Sequence, residues 1–343
     1  MLLDSSGRSN SADDAAAAPP GTALDELVTV TARIRAAVES VVTGRSDAVD
    51  VTLAVLLAGG HLLIEDVPGV GKTTLAKALA RAIDGRVGRI QFTPDLLPSD
   101  LTGVSIYRNQ TNEFEFRPGP VFSNVVIGDE INRASPKTQS ALLECMEEGQ
   151  TTVDGVTHAL PRPFFVVATQ NPVEMEGTYP LPEAQRDRFM ARLSVGYPEP
   201  AAELELLDRM ETHDPLAEVA PVVDVATVAR LVTTVRGIWA SDAVKEYVLA
   251  LVSATREHPS LRLGASPRAT LQLLRAAKSV AAMDERDHVL PDDVQRLAVP
   301  ILAHRLITTT EARLAGQSPA DLVTAIVERT AVPARSGRSL DRR

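Results

Sequence analysis

The run Glu65-Asp66-Val67-Pro68-Gly69-Val70-Gly71-Lys72-Thr73 carries residue types that hold phosphate. Small residues let backbone N–H groups turn inward around an anion, and a helix starting there adds partial positive charge. In this pattern Lys72 reaches the β- and γ-phosphates of a nucleotide, and the Thr73 hydroxyl ligates Mg²⁺. Pro68-Gly69 supplies a tight turn; Val70, Gly71 and Thr74 complete the expected cradle. The pattern usually opens with glycine, and here that position is Asp66. The bland alternative is an ordinary Gly/Pro turn between a strand and a helix. A second segment argues against it. Asn124-Val125-Val126-Ile127-Gly128-Asp129-Glu130 is an apolar run ending in two carboxylates. Open α/β sheets place ligand chemistry at the carboxyl ends of their strands. Asp129 there would hold Mg²⁺ through its shell, and Glu130 would orient and deprotonate the attacking water. A loop without such a pair could only bind a nucleotide; with Glu130 the chain is equipped to hydrolyse one.

These residues need strands and helices to position them. Leu62-Leu63-Ile64 reads as a buried strand and Leu75 to Ala80 as the following helix. Leu24, Leu27, Val28, Ile34 and Val38 follow near-helical spacing, which predicts an amphipathic first helix. Strands and helices alternate to about residue 196, which predicts an α/β sandwich. Two stretches break the alternation and predict β-hairpin inserts: Thr102 to Phe122, and Gly149 to Pro163 with an Asp154-Gly155 turn. Ser135 as cap, Pro136 at the first helical position and Gly149 as stop predict a helix between them. Tyr197-Pro198-Glu199-Pro200 marks a boundary, beyond which the sequence is helical without further strand signals. Ser266-Pro267 opens one helix there and Leu290-Pro291-Asp292-Asp293 another. The expected organisation is a disordered tail over 1–20, an α/β nucleotide-binding core over 21–200, a helical domain over 201–330, and an Arg-rich flexible tail over 331–343.

Composition narrows the partners. The chain has 343 residues, 44% of them hydrophobic, so it can bury a sizeable core. A net charge of −10 argues against a nonspecific nucleic-acid coat, and 3% aromatic residues argue against a stacking platform for single strands. One cysteine, Cys145, excludes a disulfide framework. The six histidines show no metal-ligand spacing. The N-terminus lacks a signal-peptide pattern, and the longest apolar stretch, Val51 to Ile64, is too broken to span a bilayer. These features predict a soluble, cytoplasmic protein without a membrane span.

Further segments make a family resemblance specific. They are Asp129-Glu130-Ile131-Asn132-Arg133-Ala134-Ser135-Pro136-Lys137-Thr138-Gln139, Ala168-Thr169-Gln170-Asn171-Pro172, Gly177-Thr178-Tyr179-Pro180-Leu181-Pro182-Glu183-Ala184-Gln185-Arg186-Asp187-Arg188-Phe189 and Gly264-Ala265-Ser266-Pro267-Arg268. With the phosphate loop they occur in family order, and the chain resembles the MoxR family of AAA+ ATPases over about residues 24–310. The resemblance implies a P-loop αβα sandwich with a C-terminal helical lid. Asn171 would be the sensor that bonds the γ-phosphate or the attacking water. Arg188, in the Asp-Arg-Phe triplet, matches the arginine finger that reaches into a neighbouring subunit. Arg186 competes for that role, since related chains carry an apolar residue there; a surface salt bridge is its expected use. Arg268 matches the second sensor, in cis or in trans. Val42 and Gly44 resemble the segment lining the adenine pocket.

The resemblance further implies an ATP- and Mg²⁺-dependent homo-oligomeric ring, expected as a hexamer. It implies chaperone-like remodelling, maturation or activation of a protein client, often with a partner bearing a von Willebrand factor type A domain. Three rivals stand beside it. A metal-chelatase ATPase subunit shares the branch, but the Asn132-Arg133 continuation and the Gly177-Thr178-Tyr179-Pro180 stretch favour MoxR. Acidic charge and few aromatics weigh against a nucleic-acid motor. Intact Lys72, Glu130, Asn171 and Arg188 weigh against a scaffold that never turns over.

Overall fold

The computed structural model of the chain describes residues 20–67, 69–171, 178–197, 200, 203–204 and 214–333. Pro68 lies outside this set, as do residues 1–19 of the expected N-terminal tail and 334–343 of the Arg-rich one.

In chain order the core elements are α1 (Pro20–Glu39), α2 (Ser46–Leu57), β1 (Leu62–Glu65), α3 (Lys72–Ala82), β2 (Val87–Gln91), α4 (Pro98–Thr102), β3 (Gly103–Arg108), β4 (Glu113–Pro118), β5 (Val125–Asp129), α5 (Pro136–Glu148), β6 (Gln150–Val153), β7 (Val156–Ala159), β8 (Phe165–Gln170), α6 (Glu183–Arg186) and β9 (Ala191–Leu193). Five of the strands form one parallel sheet in the order β2-β5-β8-β1-β9. Side chains alternate across a strand, so both faces are apolar. Leu62, Ile64, Val125, Ile127, Phe165 and Val167 enter one hydrophobic cluster with α1, α2 and α3. Leu63, Val126, Val166 and Ala168 enter the other, with Leu142, Leu143 and Met146 of α5. Burial of each such large side chain contributes roughly 1.5–3 kcal/mol. The result is the three-layer αβα sandwich.

Local signals fix the ends. The Ser135 side chain accepts from the Thr138 N–H at 3.4 Å, Pro136 opens α5, and Gly149 closes it at φ 63°. Both expected hairpins are present, β3–β4 and β6–β7. Asp154 at φ 51° and Gly155 at φ 80° give the second its two-residue turn. Beyond the sheet lie the helices Val225–Arg236, Asp242–Glu257, Pro267–Met283, Pro291–Leu302 and Pro319–Arg329. Asp224, Ser241, Ser266 and Ser318 cap four of them through side-chain acceptors. One expectation fails here. The helical region does contain strands: β10 (Leu261–Leu263) pairs antiparallel with β11 (Ile307–Thr308). Runs of three and two residues are too short for a period of two to show. Helix Pro267–Met283 packs on α2, helix Pro291–Leu302 packs on β9, and one hydrophobic cluster runs through both regions.

Asp66, the residue at odds with the usual pattern, ties the loop after β1 to the segment after β9. Its carboxylate accepts from the Val67 N–H at 2.9 Å, the Ser194 hydroxyl at 3.1 Å and the Gly196 N–H. Burial pushes its pKa up, but these hydrogen bonds outweigh burial and hold it below the usual carboxylate value. Asp66→Gly restores the sequence pattern yet strips three donors of their acceptor. It is expected to lower unfolding free energy by about 1–3 kcal/mol and to weaken nucleotide binding. Urea unfolding with nucleotide titration tests this; an unchanged midpoint and affinity would show that the tie is idle.

His61 sets a pH dependence. Its Nε2–H donates to Met146 O at 3.1 Å, and its Nδ1 accepts from the Val166 N–H at 3.1 Å. Both bonds use the neutral ring. Burial pushes its pKa down to about 4, against the Met146 bond. Between pH 6.5 and 4 the unfolded chain therefore takes up a proton that the folded chain refuses. Stability should fall as pH drops through that window, by up to about 3 kcal/mol from this residue. His61→Gln is expected to flatten the fall. Parallel curves of unfolding midpoint against pH for the two proteins would assign the effect elsewhere.

Candidate nucleotide site

Gly69 and Gly71 both hold φ 87°, and beyond the flanking residues no atom lies within 4 Å of a Cβ built on either. The left-handed backbone, not crowding, is what requires glycine there. Gly71 caps α3 without a side chain. The first-turn N–H groups of Lys72, Thr73 and Thr74 are thus left for an anion. Lys72 Nζ arches over the loop to Asp66 O at 2.6 Å. Val70 packs partly buried against the core.

The Thr73 hydroxyl donates to Asp129 Oδ1 at 3.1 Å. These two oxygens are hard donors on adjacent elements and fit Mg²⁺, which keeps waters and phosphate oxygens in its shell. Among the described residues no group of three or more His, Cys, Asp or Glu side chains could hold a metal. A pair completed by phosphate and water is therefore the form such a site would take. Arg89 Nε meets the other oxygen, Asp129 Oδ2, at 2.9 Å.

Glu130 stands at φ 58°, ψ 53°. The left-handed region costs an L residue about 1–2 kcal/mol, so the turn must be held. The Glu130 N–H donates to Thr169 Oγ1 at 3.0 Å. Gln139, fully buried, donates Nε2 to Ile131 O, Ala134 O and Tyr179 O at 3.1, 3.2 and 3.0 Å. The Glu130 carboxylate takes Arg133 Nε at 3.0 Å and Gln91 Nε2 at 3.3 Å. Asn171 is buried just beyond β8, the strand between β5 and β1. The loop, Asp129, Glu130 and Asn171 thus share the carboxyl end of the sheet. Val42 and Gly44 lie in the turn after α1, Val42 buried in the core. Arg45, just beyond that turn, donates to Gly196 O at 2.9 Å in the segment after β9, whose Gly196 N–H bonds Asp66.

Arg188 and Arg268 sit elsewhere. Arg188 Nε meets Glu147 Oε2 at 2.9 Å, and Arg268 Nη2 meets Glu147 Oε1. The Arg188 hydrogen bond, aided by the charge of Arg268, holds the Glu147 carboxyl below its usual pKa. Both arginines line a cleft of about 290 Å³ with Gly59, Gly60, His61 and Met190. Gly60 and His61 precede β1, whereas the phosphate loop follows it. Four residues of strand, about 13 Å at roughly 3.3 Å each, separate the two. Arg186 is half-buried; among the described residues it makes no salt bridge, and its Nε is buried without a partner.

Sequence reasoning gave no role to Arg89, Gln91, Glu147 or Arg305, and none to Arg133 or Gln139 beyond letters of a motif. Arg305 alone carried a local signal: a charge inside the apolar run Leu302-Ala303-His304-Arg305-Leu306-Ile307. Cys145 is buried, and burial pushes its thiol up to about 11.

Comparison with known proteins identifies the family. Residues 61–191 match the ATPase family associated with various cellular activities (AAA), and 253–326 match the AAA lid domain. The chain is 41% identical to Chaperone MoxR1 of Mycobacterium tuberculosis, over 94% of this chain and 88% of that protein. It is 52% identical to the uncharacterised protein YeaC of Bacillus subtilis, over 86% and 92%. The crystal structure of a candidate ATPase from Cytophaga hutchinsonii superposes with a TM-score of 0.84 at 39% identity, covering 91% of this chain and 98% of that one. Family matches and relatives agree with the motifs and the sheet order: the chain belongs to the MoxR family of AAA+ ATPases.

Proposed function

We propose that this ATPase works as a Mg²⁺-dependent ring, and that each site is completed by arginines of the neighbouring subunit. One observation carries the reading: the phosphate loop and the Arg188–Arg268 pair lie at opposite ends of β1. A subunit that cannot bring its own arginines to its own phosphates needs a second copy. Closed rings supply one at every site. On this reading Arg268 acts in trans beside Arg188.

The chemistry needs positioning and charge stabilisation more than covalent help. Lys72 and the first-turn N–H groups of α3 would cradle the phosphates. Thr73 and Asp129 would hold Mg²⁺, which when bound neutralises charge on the phosphate oxygens. Glu130 would take a proton from the attacking water once Arg133 and Gln91 release it, and Asn171 would place that water. Arg188 would fork onto the transferring phosphoryl oxygens, as guanidinium geometry favours.

The work driven by this cycle is remodelling of a protein client. The name of the mycobacterial relative supports a chaperone role. So does an exposed aromatic pair on the β3–β4 hairpin. Tyr107 and Phe114, opposite each other in register, are 48% and 74% exposed with rings 5.3 Å apart. Exposed apolar surface of this kind suits a polypeptide better than a phosphate backbone. The family resemblance adds an expected partner with a von Willebrand factor type A domain, and a cytoplasmic setting. Among the described residues no helix is long and apolar enough to cross a membrane.

Glu130→Gln is expected to bind ATP and lose hydrolysis by more than 10²-fold, whereas Lys72→Ala loses binding. Phosphate release by Glu130→Gln at the parent rate would remove the general-base role. Arg188→Ala should slow turnover by about 10³-fold or more. Mixing it with Glu130→Gln subunits, which still carry Arg188, should restore activity. Demonstrably mixed rings that stay inactive would argue that no arginine acts in trans. An ATP-loaded Glu130→Gln ring should also retain a protein that the nucleotide-free ring releases; retention of DNA instead would favour a motor.

A further inference from the structure

Arg305 is buried, with 3% of its surface exposed, and lies in the helical region, far along the chain from the turn it grips. Its Nε donates to Asp187 Oδ1 at 2.8 Å. Nη2 donates to Asp187 O at 3.2 Å and Phe189 O at 2.6 Å, and Nη1 to Met190 O at 3.2 Å. Gln272 Oε1 and Ile301 O take further bonds from the same fork. Three of these acceptors are the backbone carbonyls of residues 187, 189 and 190, which bracket Arg188 on both sides. The neighbouring His304 adds Nε2 to Phe189 O at 3.2 Å, and Ser266 Oγ reaches both Asp187 oxygens at 2.9 Å.

We propose that Arg305 is a positioning residue: from the helical region it holds the Asp187–Arg188 turn in register for the neighbouring subunit's site. This rests on the trans reading of Arg188 given above. Three physical points carry it. Burying a guanidinium is costly, and well-packed apolar side chains often serve stability as well as a buried pair does. Stability alone therefore does not call for this residue. The fork is planar and rigid and fixes several acceptors at once, and here those acceptors define the path of the chain around Arg188. Finally, among the described residues the tip of Arg188 is held by the exposed Glu147 alone. Exposed pairs contribute about 0–1 kcal/mol, so precision must come from the backbone beneath. A displacement of about 1 Å at a catalytic group can cost on the order of 10²-fold in rate.

The test separates positioning from folding by asking which side of a subunit is damaged. Arg305→Met and Asp187→Asn, each in the full chain, are expected to lose ATP turnover by about 10²-fold while binding a fluorescent ATP analogue within about two-fold of the parent. Mixed with Glu130→Gln subunits, which bring an intact Arg188 turn, either variant should recover turnover. Mixed with Arg188→Ala subunits it should not, because both lesions then lie on the same face. Arg305→Lys keeps the charge without the fork and should behave like Arg305→Met.

If Arg188→Ala is rescued by Glu130→Gln but Arg305→Met and Asp187→Asn are not, Arg305 serves its own subunit and the inference is overturned while the trans reading stands. Recovery with Arg188→Ala also overturns it. If even Arg188→Ala is not rescued, the trans reading falls and takes this inference with it. Should Arg305→Met fail to fold, Asp187→Asn carries the same comparisons, since it keeps an acceptor for Ser266 and the carbonyl at residue 187.

Discussion

A strand has two ends, and β1 puts different chemistry at each. Parallel pairing with β8 on one side and β9 on the other fixes its direction. The phosphate loop must then leave at the carboxyl end, beside the ends of β8 and β5. The chain entering β1 passes Gly60 and His61 at the other end, where Arg188, Arg268 and Glu147 gather. No rotation of a side chain closes a gap set by the length of a strand. The proposed completion of the site from a second subunit rests on this sheet geometry.

The charged groups of the two ends share a second property: each has a partner inside its own chain. Asp129 has Arg89, Glu130 has Arg133, and Arg188 and Arg268 share Glu147. On each pair at least one side chain is substantially exposed. Such pairs are screened by water and contribute about 0–1 kcal/mol. They can be exchanged for phosphate, metal or water at small cost. The Asp187–Arg305 pair is different, because Arg305 is buried. Burial pushes its pKa down to about 10, against the Asp187 bond, so it stays charged at neutral pH. Removing one member of a buried pair commonly costs about 3–5 kcal/mol. The exposed pairs are therefore the ones suited to change partners in the proposed cycle, and the buried one is suited to stay.

Much of the fold was legible because its signals are local. Ser135, Pro136 and Gly149 bound α5 through their own backbones, and Asp154-Gly155 closes a hairpin by the same logic. The carboxylates at the end of β5 could be read from an apolar run followed by Asp129-Glu130. What stayed hidden depends on contacts distant in sequence. Asp66 looked like a defect in a pattern until its donors, Ser194 and Gly196, were brought to it by β9. Glu147 is one acid among several at the end of a helix, and nothing local marks it as the partner of two arginines from two other segments. The strands β10 and β11 escaped because a short run has no measurable period. Arg305 could have been flagged as a charge in an apolar run, but only the fold shows which turn it holds.

The same fork also links two parts of the molecule. Ser266, Arg268, Gln272 and Arg305 all belong to the helical region, and two of them, Ser266 and Arg305, bond the residues around Arg188. Arg268 shares its carboxylate partner with Arg188 as well. Helix Pro267–Met283 meanwhile packs on α2, whose far end leads into β1. The helical region thus holds the Arg188 turn through a buried guanidinium network. In a ring, the helical region of one subunit would then set the arginines offered to the next subunit's nucleotide. Coupling between sites needs an element whose position both sites bias. The turn at Asp187–Arg188, gripped by Arg305 and, on the proposed reading, offered to a neighbour's phosphates, would have that form.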